Sequence, residues 1–300
     1  MTESKQTQSL HGKIAVVAGA TRGAGRAIAV ALGAAGATVY CTGRSVRGAP
    51  SDIQRRETIE ETAEMVTERG GVGIAVRVDH SKPAEVAAFF QRVAAEQQGQ
   101  LDLLVNDVWG GEALIEFDKP FWEMDLTKAL TMIERAIFTH IITSHYGAPL
   151  MVARNRGLII EVTDGDSLTY RGNLPYDLAK TSVIRLALAQ AEDLKKKELD
   201  GITALALTPG FLRSEQMLDH FGVTEANWRD QIKQDPYFAG SETPAYIGRA
   251  VVALATDPNI HAKNGQAFAT WTLSDEYGFT DVDGSRPHWG RFFAEMQAKS

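Results

Sequence analysis

The distribution of apolar residues leaves few folds open to this 300-residue chain. Short runs rich in Val, Ile, Leu and Ala occur at KIAVVAG (13–19), ATVYCTG (37–43), GIAVRVD (73–79), LDLLVND (101–107), GLIIEVT (157–163), ITALALT (202–208) and GQAFATW (265–271). None alternates strictly between apolar and polar, so each predicts a strand covered on both faces. Amphipathic stretches lie between them, over 24–35, 54–69, 83–98, 122–153, 174–197 and 243–256. Strand then helix, repeated, predicts an α/β doubly wound fold, a parallel sheet with helices on both sides.

No Pro/Gly/Ser-rich linker, composition shift or internal repeat divides the chain. One domain is expected over 11–287, between a flexible N-terminus (1–10) and a C-terminal tail (288–300). The tail, HWGRFFAEMQAKS, is amphipathic and suits closure over a pocket or over a neighbouring subunit. Two connections are unusually long, RSVRGAPSDI (44–53) and residues 211–242. Both leave the carboxyl edge of the expected sheet, where open α/β sheets bind ligands. They are candidates for cofactor and substrate contacts.

A formal charge of −7 disfavours a general nucleic-acid or anionic-membrane surface. No run of about 18 apolar residues is present, so no membrane span is expected. The polar start MTESKQTQSLHGK lacks the apolar core of a secretory signal. A single cysteine, Cys41, cannot form an internal disulfide and sits in an apolar run, as a core thiol does. A cytosolic protein is expected. The seven histidines show no metal-ligand spacing; His140 and His145 are i, i+5.

The first strand runs into Gly19-Ala20-Thr21-Arg22-Gly23-Ala24-Gly25 and then an apolar helix. Glycines there allow a tight turn and let a pyrophosphate approach the backbone at a helix N-terminus. The spacing is GxxxGxG rather than GxGxxG. An NAD site usually places an acid at the end of the second strand to hold the ribose hydroxyls. This strand ends Thr42-Gly43-Arg44-Ser45. Arg44, with Arg22 from the glycine loop, can pair with a 2′-phosphate, which favours NADP(H).

Tyr176 and Lys180 are i and i+4 on a predicted helix and so share a face. A tyrosine hydroxyl titrates at about 10. A nearby ammonium lowers that value and makes the phenol a usable acid or base for a carbonyl that gains or loses a hydride.

Together these residues resemble the short-chain dehydrogenase/reductase (SDR) family, in its NADP-preferring branch. The likeness spans about residues 10–275 and rests on AGATRGAG (18–25), Asp79, LDLLVND (101–107), YDLAK (176–180) and TPGF (208–211). FWEM (121–124), YGAPLM (146–151), VVALATDPNI (251–260) and YGFTDVDGSRP (277–287) resemble the subgroup of dehydrogenase/reductase SDR family member 1. The resemblance implies a seven-stranded parallel sheet in the order 3-2-1-4-5-6-7. It implies a homodimer or homotetramer, and an NADP(H)-dependent enzyme that interconverts a small carbonyl substrate (ketone, aldehyde or quinone) and an alcohol.

By position, Tyr176 is the implied acid/base and Lys180 holds the nicotinamide ribose and tunes it. Gly19, Thr21, Arg22, Gly23 and Gly25 line the phosphates, and Arg44 reads the 2′-phosphate. Asp79 and His80 lie against the adenine, Asn106 sits beneath the cofactor, and Pro209 and Gly210 pass the nicotinamide carboxamide. Ser214 stands where many members have Thr.

Three features depart from the family pattern. The substrate-orienting Ser, thirteen residues before the Tyr, falls on Thr163, whose hydroxyl has the same donor and acceptor capacity. Ser167 is a fallback. The relay Asn falls on Ala136, and the usual NNAG is NDVWG, which introduces Asp107 and Trp109. With Asp164 and Asp166, Asp107 gives the pocket mouth an acidic character suited to neutral or cationic substrates; the same aspartates could instead cap helices or bond loop amides. Trp109, Tyr170, Phe211, Phe221, Trp228, Tyr237 and Phe238 can wall an apolar pocket or pack the 211–242 segment onto the body. The altered motifs also leave open a non-catalytic NADP-binding sensor or scaffold, and an isomerase or dehydratase on the same fold.

Overall fold

A computed structural model describes residues 9–49 and 53–298. Seven strands form one parallel sheet: β1 (Ile14–Ala18), β2 (Thr38–Gly43), β3 (Val72–Arg77), β4 (Leu103–Asn106), β5 (Gly157–Val162), β6 (Ile202–Thr208) and β7 (Ala267–Ala269), in the spatial order β3-β2-β1-β4-β5-β6-β7. Every neighbour is parallel, so each connection crosses a face of the sheet, as helices do in α/β folds. Helices α1 (Gly23–Ala34), α2 (Ile59–Glu68) and α8 (Pro244–Thr256) bury Ile28, Leu32, Val66 and Val251 with Val17, Val39 and Val105. Helices α3 (Pro83–Glu96), α5 (Thr139–Val152) and α6 (Leu174–Lys196) accompany a second core containing Val16, Tyr40, Phe90, Leu104, Met151 and Ile159. Neighbours such as Val16 and Val17 enter different cores, which is why the strand sequences do not alternate.

The expected helix over 54–69 begins at Ile59, because Thr58 and Glu61 form a reciprocal capping box; its hydroxyl accepts the Glu61 amide at 3.3 Å. The expected helix over 122–153 starts later and has a break. Asp125 caps α4 (Leu126–Ile133), and a π-helical turn (Glu134–Phe138) joins it to α5. Short helices α7 (Glu215–His220), α9 (Thr270–Tyr277) and α10 (Trp289–Gln297) complete the chain.

Of the expected flexible N-terminus, residues 1–8 lie outside the described residues, while Leu10 is buried in the first core. Residues 50–52 of the long 44–53 connection and the last two residues of the tail also lie outside them. No helix among the described residues is long and apolar enough to cross a membrane.

Register brings the chemistry to one edge. Ala18, Asn106 and Glu161 face one another across β1, β4 and β5, so the residues that follow all emerge side by side.

Candidate active site

At that edge a cavity of about 810 Å³ runs from the glycine loop, Arg44 and Asp79 to Tyr176, Lys180, Pro209 and Gly210. Local constraints shape its phosphate end. Gly19 has φ +90°, and a Cβ there would lie 2.3 Å from the Asp107 carbonyl oxygen. At Gly25 a Cβ would lie 2.3 Å from the Gly19 carbonyl. Only glycine permits these approaches.

This end suits an anion. The Gly23 amide, in the first turn of α1, donates at 2.8 Å to the Glu215 carboxylate, an anion already in the place a phosphate oxygen can take. Arg22 lies 3.5 Å from Glu57, yet its Nε and Nη2 are buried without a hydrogen-bond partner. Arg44 stands exposed at the end of β2, close enough to influence the Asp79 carboxylate. Thr21 lines the same wall. The residues present therefore fit the pyrophosphate of a dinucleotide.

Some expected contacts are directed elsewhere. His80 is buried with Nε2 2.8 Å from Thr42 Oγ1 and Nδ1 2.7 Å from Thr143 Oγ1, so neither nitrogen is left for an adenine. Burial pushes its pKa down to about 3, which keeps it neutral. Asn106 is wholly buried and donates to Ser144 Oγ at 2.8 Å and Glu161 Oε1 at 3.0 Å. It belongs to a polar cluster under the cavity floor. Glu161 there also accepts from Ser144 and Gln190 and lies 2.7 Å from His140 Nδ1, while His140 Nε2 meets the Val108 carbonyl at 3.1 Å. Sequence reading found neither this cluster nor its link to the Asp107–Trp109 wall; its members come from β4, β5, α5 and α6 and are far apart in the chain.

At the other end, Asn173 caps α6, accepting the Tyr176 amide at 3.2 Å, and so sets Tyr176 and Lys180 on the cavity face. The Tyr176 hydroxyl donates to Asp164 Oδ2 at 2.5 Å. Its ring meets Trp109 and Phe117 edge to face, with centroids 5.6 and 5.7 Å apart. Lys180 Nζ lies 3.9 Å from the centroid of Trp109 and 5.6 Å from that of Tyr176. Burial first, then the charge and hydrogen bond of Asp164, raise the Tyr176 pKa well above that of a free phenol. Burial and Asp164 outweigh any lowering by Lys180. Lys180 itself is lowered, chiefly by burial, against the opposing pull of Asp164 and Asp107.

Thr163 is not the partner of Tyr176. Its hydroxyl donates to the Lys180 carbonyl at 2.7 Å, pinning β5 to α6. Ser167 is exposed, its hydroxyl 3.1 Å from that of Thr169. The group that meets the phenol is Asp164. Ala136 is buried within the π-helical turn and lines the cavity. Burial pushes the Asp107 carboxyl up to about 7, although Lys180, His140 and the Gly25 amide oppose it.

The cavity wall at Pro209 and Gly210 is completed by the C-terminal helix α10. Trp289 of α10 stacks on Phe211, centroids 5.9 Å apart, and packs over Gly210, where a Cβ would lie 2.8 Å from its Cβ. Behind Gly210 the wholly buried Glu242 accepts from Thr270 at 2.8 Å and leaves Oε1 unpartnered. Of the expected pocket aromatics, Trp109 and Phe211 line the cavity; Phe238 and Trp228 are buried in the packing of 211–242, and Tyr170 is exposed.

The short chain dehydrogenase family matches residues 13–222 of this chain. The chain is 35% identical over 284 residues to "Dehydrogenase/reductase SDR family member 1" of Homo sapiens, covering 92% of this chain and 85% of that protein. The Mus musculus protein of the same name is 36% identical over 279 residues, with the same shares covered. Among solved structures, a short chain dehydrogenase from Mycobacterium thermoresistibile has a TM-score of 0.76 at 23% identity, covering 94% of this chain and 92% of that one. A hydroxysteroid dehydrogenase from Escherichia coli has a TM-score of 0.69 at 22% identity, covering 88% and 97%.

Proposed function

The chain belongs to the short-chain dehydrogenase/reductase family, and from that premise we propose that it is an NADP(H)-dependent oxidoreductase interconverting a small carbonyl compound and an alcohol. One observation carries the reading: Tyr176 and Lys180 share a single cavity with an anion-binding glycine loop and two arginines. When bound, the nicotinamide supplies or takes the hydride. The chain's own residues do the rest. Gly23 and Arg22 hold phosphate oxygens, and Arg44 favours the 2′-phosphate. Pro209 and Gly210, backed by Trp289, form the wall for the nicotinamide ring.

Tyr176 donates its proton to the substrate oxygen. Its hydroxyl is protonated and donates to Asp164, the form that reduction needs and oxidation does not. Lys180 neutralises part of the surrounding negative charge, and Thr163 holds the Lys180 backbone in register.

The protein is proposed to work as a homodimer or homotetramer in the cytoplasm. Support for a second copy comes from Leu126, Leu130, Phe138, Ile141 and Leu178, large apolar side chains left exposed along α4 to α6. Cys41 is buried and unpaired, as suits a reducing compartment.

The test is oxidation of NADPH, compared with NADH, against a panel of ketones, aldehydes and quinones. Native protein is expected to prefer NADPH, and Tyr176→Phe to lose about 100-fold or more in kcat. NADPH binding without turnover on any acceptor would move the reading to the sensor or scaffold. The hydrogen bond that ties the Tyr176 hydroxyl to Asp164 is the observation in favour of that second reading.

A further inference from the structure

At the reacting end of the cavity, the phenol of Tyr176 is met by a carboxylate. Asp164 follows β5 and its Oδ2 lies 2.5 Å from the Tyr176 hydroxyl. An ionised carboxylate only accepts hydrogen bonds. It cannot donate to a carbonyl oxygen, and its charge opposes the negative charge that grows on that oxygen as a hydride arrives. A protonated nitrogen at the same place has the opposite requirements: it donates a hydrogen bond and gains from the negative charge.

The surroundings favour a cation too. Glu112 lines the same cavity, and the Asp107 carboxyl, held at the Gly25 amide, acts on Lys180 from the glycine-loop side. The indole of Trp109 already receives the Lys180 ammonium on its face, 3.9 Å from the centroid. Arg171, the nearby guanidinium, is 3.6 Å from Asp177 and donates to the Ser167 and Thr169 carbonyls. Arg135 donates to the Gly110 carbonyl at 3.1 Å. The arginines Arg22 and Arg44 stand at the far, phosphate end among Glu57, Glu215 and Asp79, while Asp164 is the charged group directly on the Tyr176 hydroxyl.

We propose that this site reduces protonated carbon–nitrogen double bonds, with Asp164 as the group that recognises the iminium N–H, and that it prefers them to ketones of similar shape. This rests on the reading that a reduced nicotinamide binds beside Tyr176. Asp164 holds the nitrogen protonated, the state in which the C=N carbon is electrophilic. The hydride forms the new C–H bond, and the C=N π pair becomes the nitrogen lone pair. The iminium is reduced by two electrons to an amine, and the reduced nicotinamide is oxidised by the same two. No proton is consumed in that step, so a Tyr176 held protonated by Asp164 is no impediment. Its hydroxyl keeps Asp164 oriented.

The experiment compares native protein, Asp164→Ser and Asp164→Asn on 1-pyrroline and 3,4-dihydroisoquinoline against cyclopentanone and 1-tetralone, following NADPH oxidation. Calorimetry separately measures binding of pyrrolidine and cyclopentanol to each protein in the presence of NADP+, and of NADPH alone. In native protein the imines are expected to exceed the ketones in kcat/KM by about 100-fold, and pyrrolidinium to bind where cyclopentanol does not. Asp164→Ser is expected to lose at least tenfold on imines and to gain on ketones, with NADPH affinity unchanged; Asp164→Asn is expected to lose pyrrolidinium binding. Native turnover of ketones without imine preference, or without pyrrolidinium binding, overturns this inference and leaves the carbonyl reading standing. A loss on both acceptor classes in Asp164→Ser, with NADPH still bound, overturns it too, since Asp164 then supports Tyr176 without selecting nitrogen. Failure of every acceptor in every protein overturns the oxidoreductase reading and this inference with it.

Discussion

Asp107, half-buried in the cavity wall, and Glu242, wholly buried behind Gly210, are carboxyl groups whose surroundings disfavour ionisation. Burial pushes the first up to about 7 and the second up to about 8. In an unfolded chain both ionise at about 4, so between about pH 4 and pH 8 the folded state binds the extra protons and stability falls as pH rises. Glu242→Gln removes the group responsible for the upper part of that window. Urea unfolding between pH 5 and pH 8.5 is expected to show native stability declining, and the variant declining less above about pH 6.5. Parallel curves would show that Glu242 is ionised in the folded protein throughout.

At this scale the sequence was legible where two residues share one regular element. Tyr176 and Lys180 meet the same cavity because i and i+4 lie on one helix face. Thr163 and Asp164 were not separable, because consecutive residues leaving a strand point opposite ways and counting back from Tyr176 carries no direction. Both line the cavity, but it is Asp164 that meets the Tyr176 hydroxyl, while Thr163 bonds the Lys180 carbonyl.

Helix α6 links the chemistry to the sheet. Its start is set by Asn173, whose side chain accepts the Tyr176 amide and donates to the Glu116 carbonyl at 2.8 Å. Asn173→Ala is expected to destabilise the protein by about 1 kcal/mol in chemical denaturation and to lower kcat more than NADPH affinity, because Tyr176 lies in the first turn. Unchanged stability and kcat would show that Pro175 and the Thr163–Lys180 bond are enough to fix the turn.

Elements that are one largely apolar run, such as β6 over 202–208, were readable to the residue. The region predicted as one helix over 122–153 was not, since helical periodicity persists through a π-helical turn while its hydrogen-bond ring widens by one residue. The start of α2 was missed for a related reason: the Thr58–Glu61 box, and not the preceding polar residues, decides where helical hydrogen bonding begins.

Across the whole molecule, the C-terminal helix and the 211–242 segment close one end of the cavity from within the same chain. The exposed apolar side chains of α4 to α6 are the surface proposed for a second copy. Sedimentation velocity at micromolar concentration is expected to find a dimer or larger, and Leu130→Glu combined with Ile141→Glu to shift it towards monomer without loss of helix content. A native monomer would assign those side chains to another role.

The seven strands, their parallel pairing, the glycine loop and the Tyr–Lys pair follow from local patterns: burial on two faces, backbone freedom at glycine, and a shared helix face. Each is a property of residues close together in the chain. The Asp164–Tyr176 contact, the Glu161 cluster beneath Asn106, the Glu215 carboxylate at the Gly23 amide and the closure by Trp289 bring together residues from separate elements. Which side chains meet there, and hence which charges face the substrate, was decided by sheet register and loop direction, which no local pattern encodes.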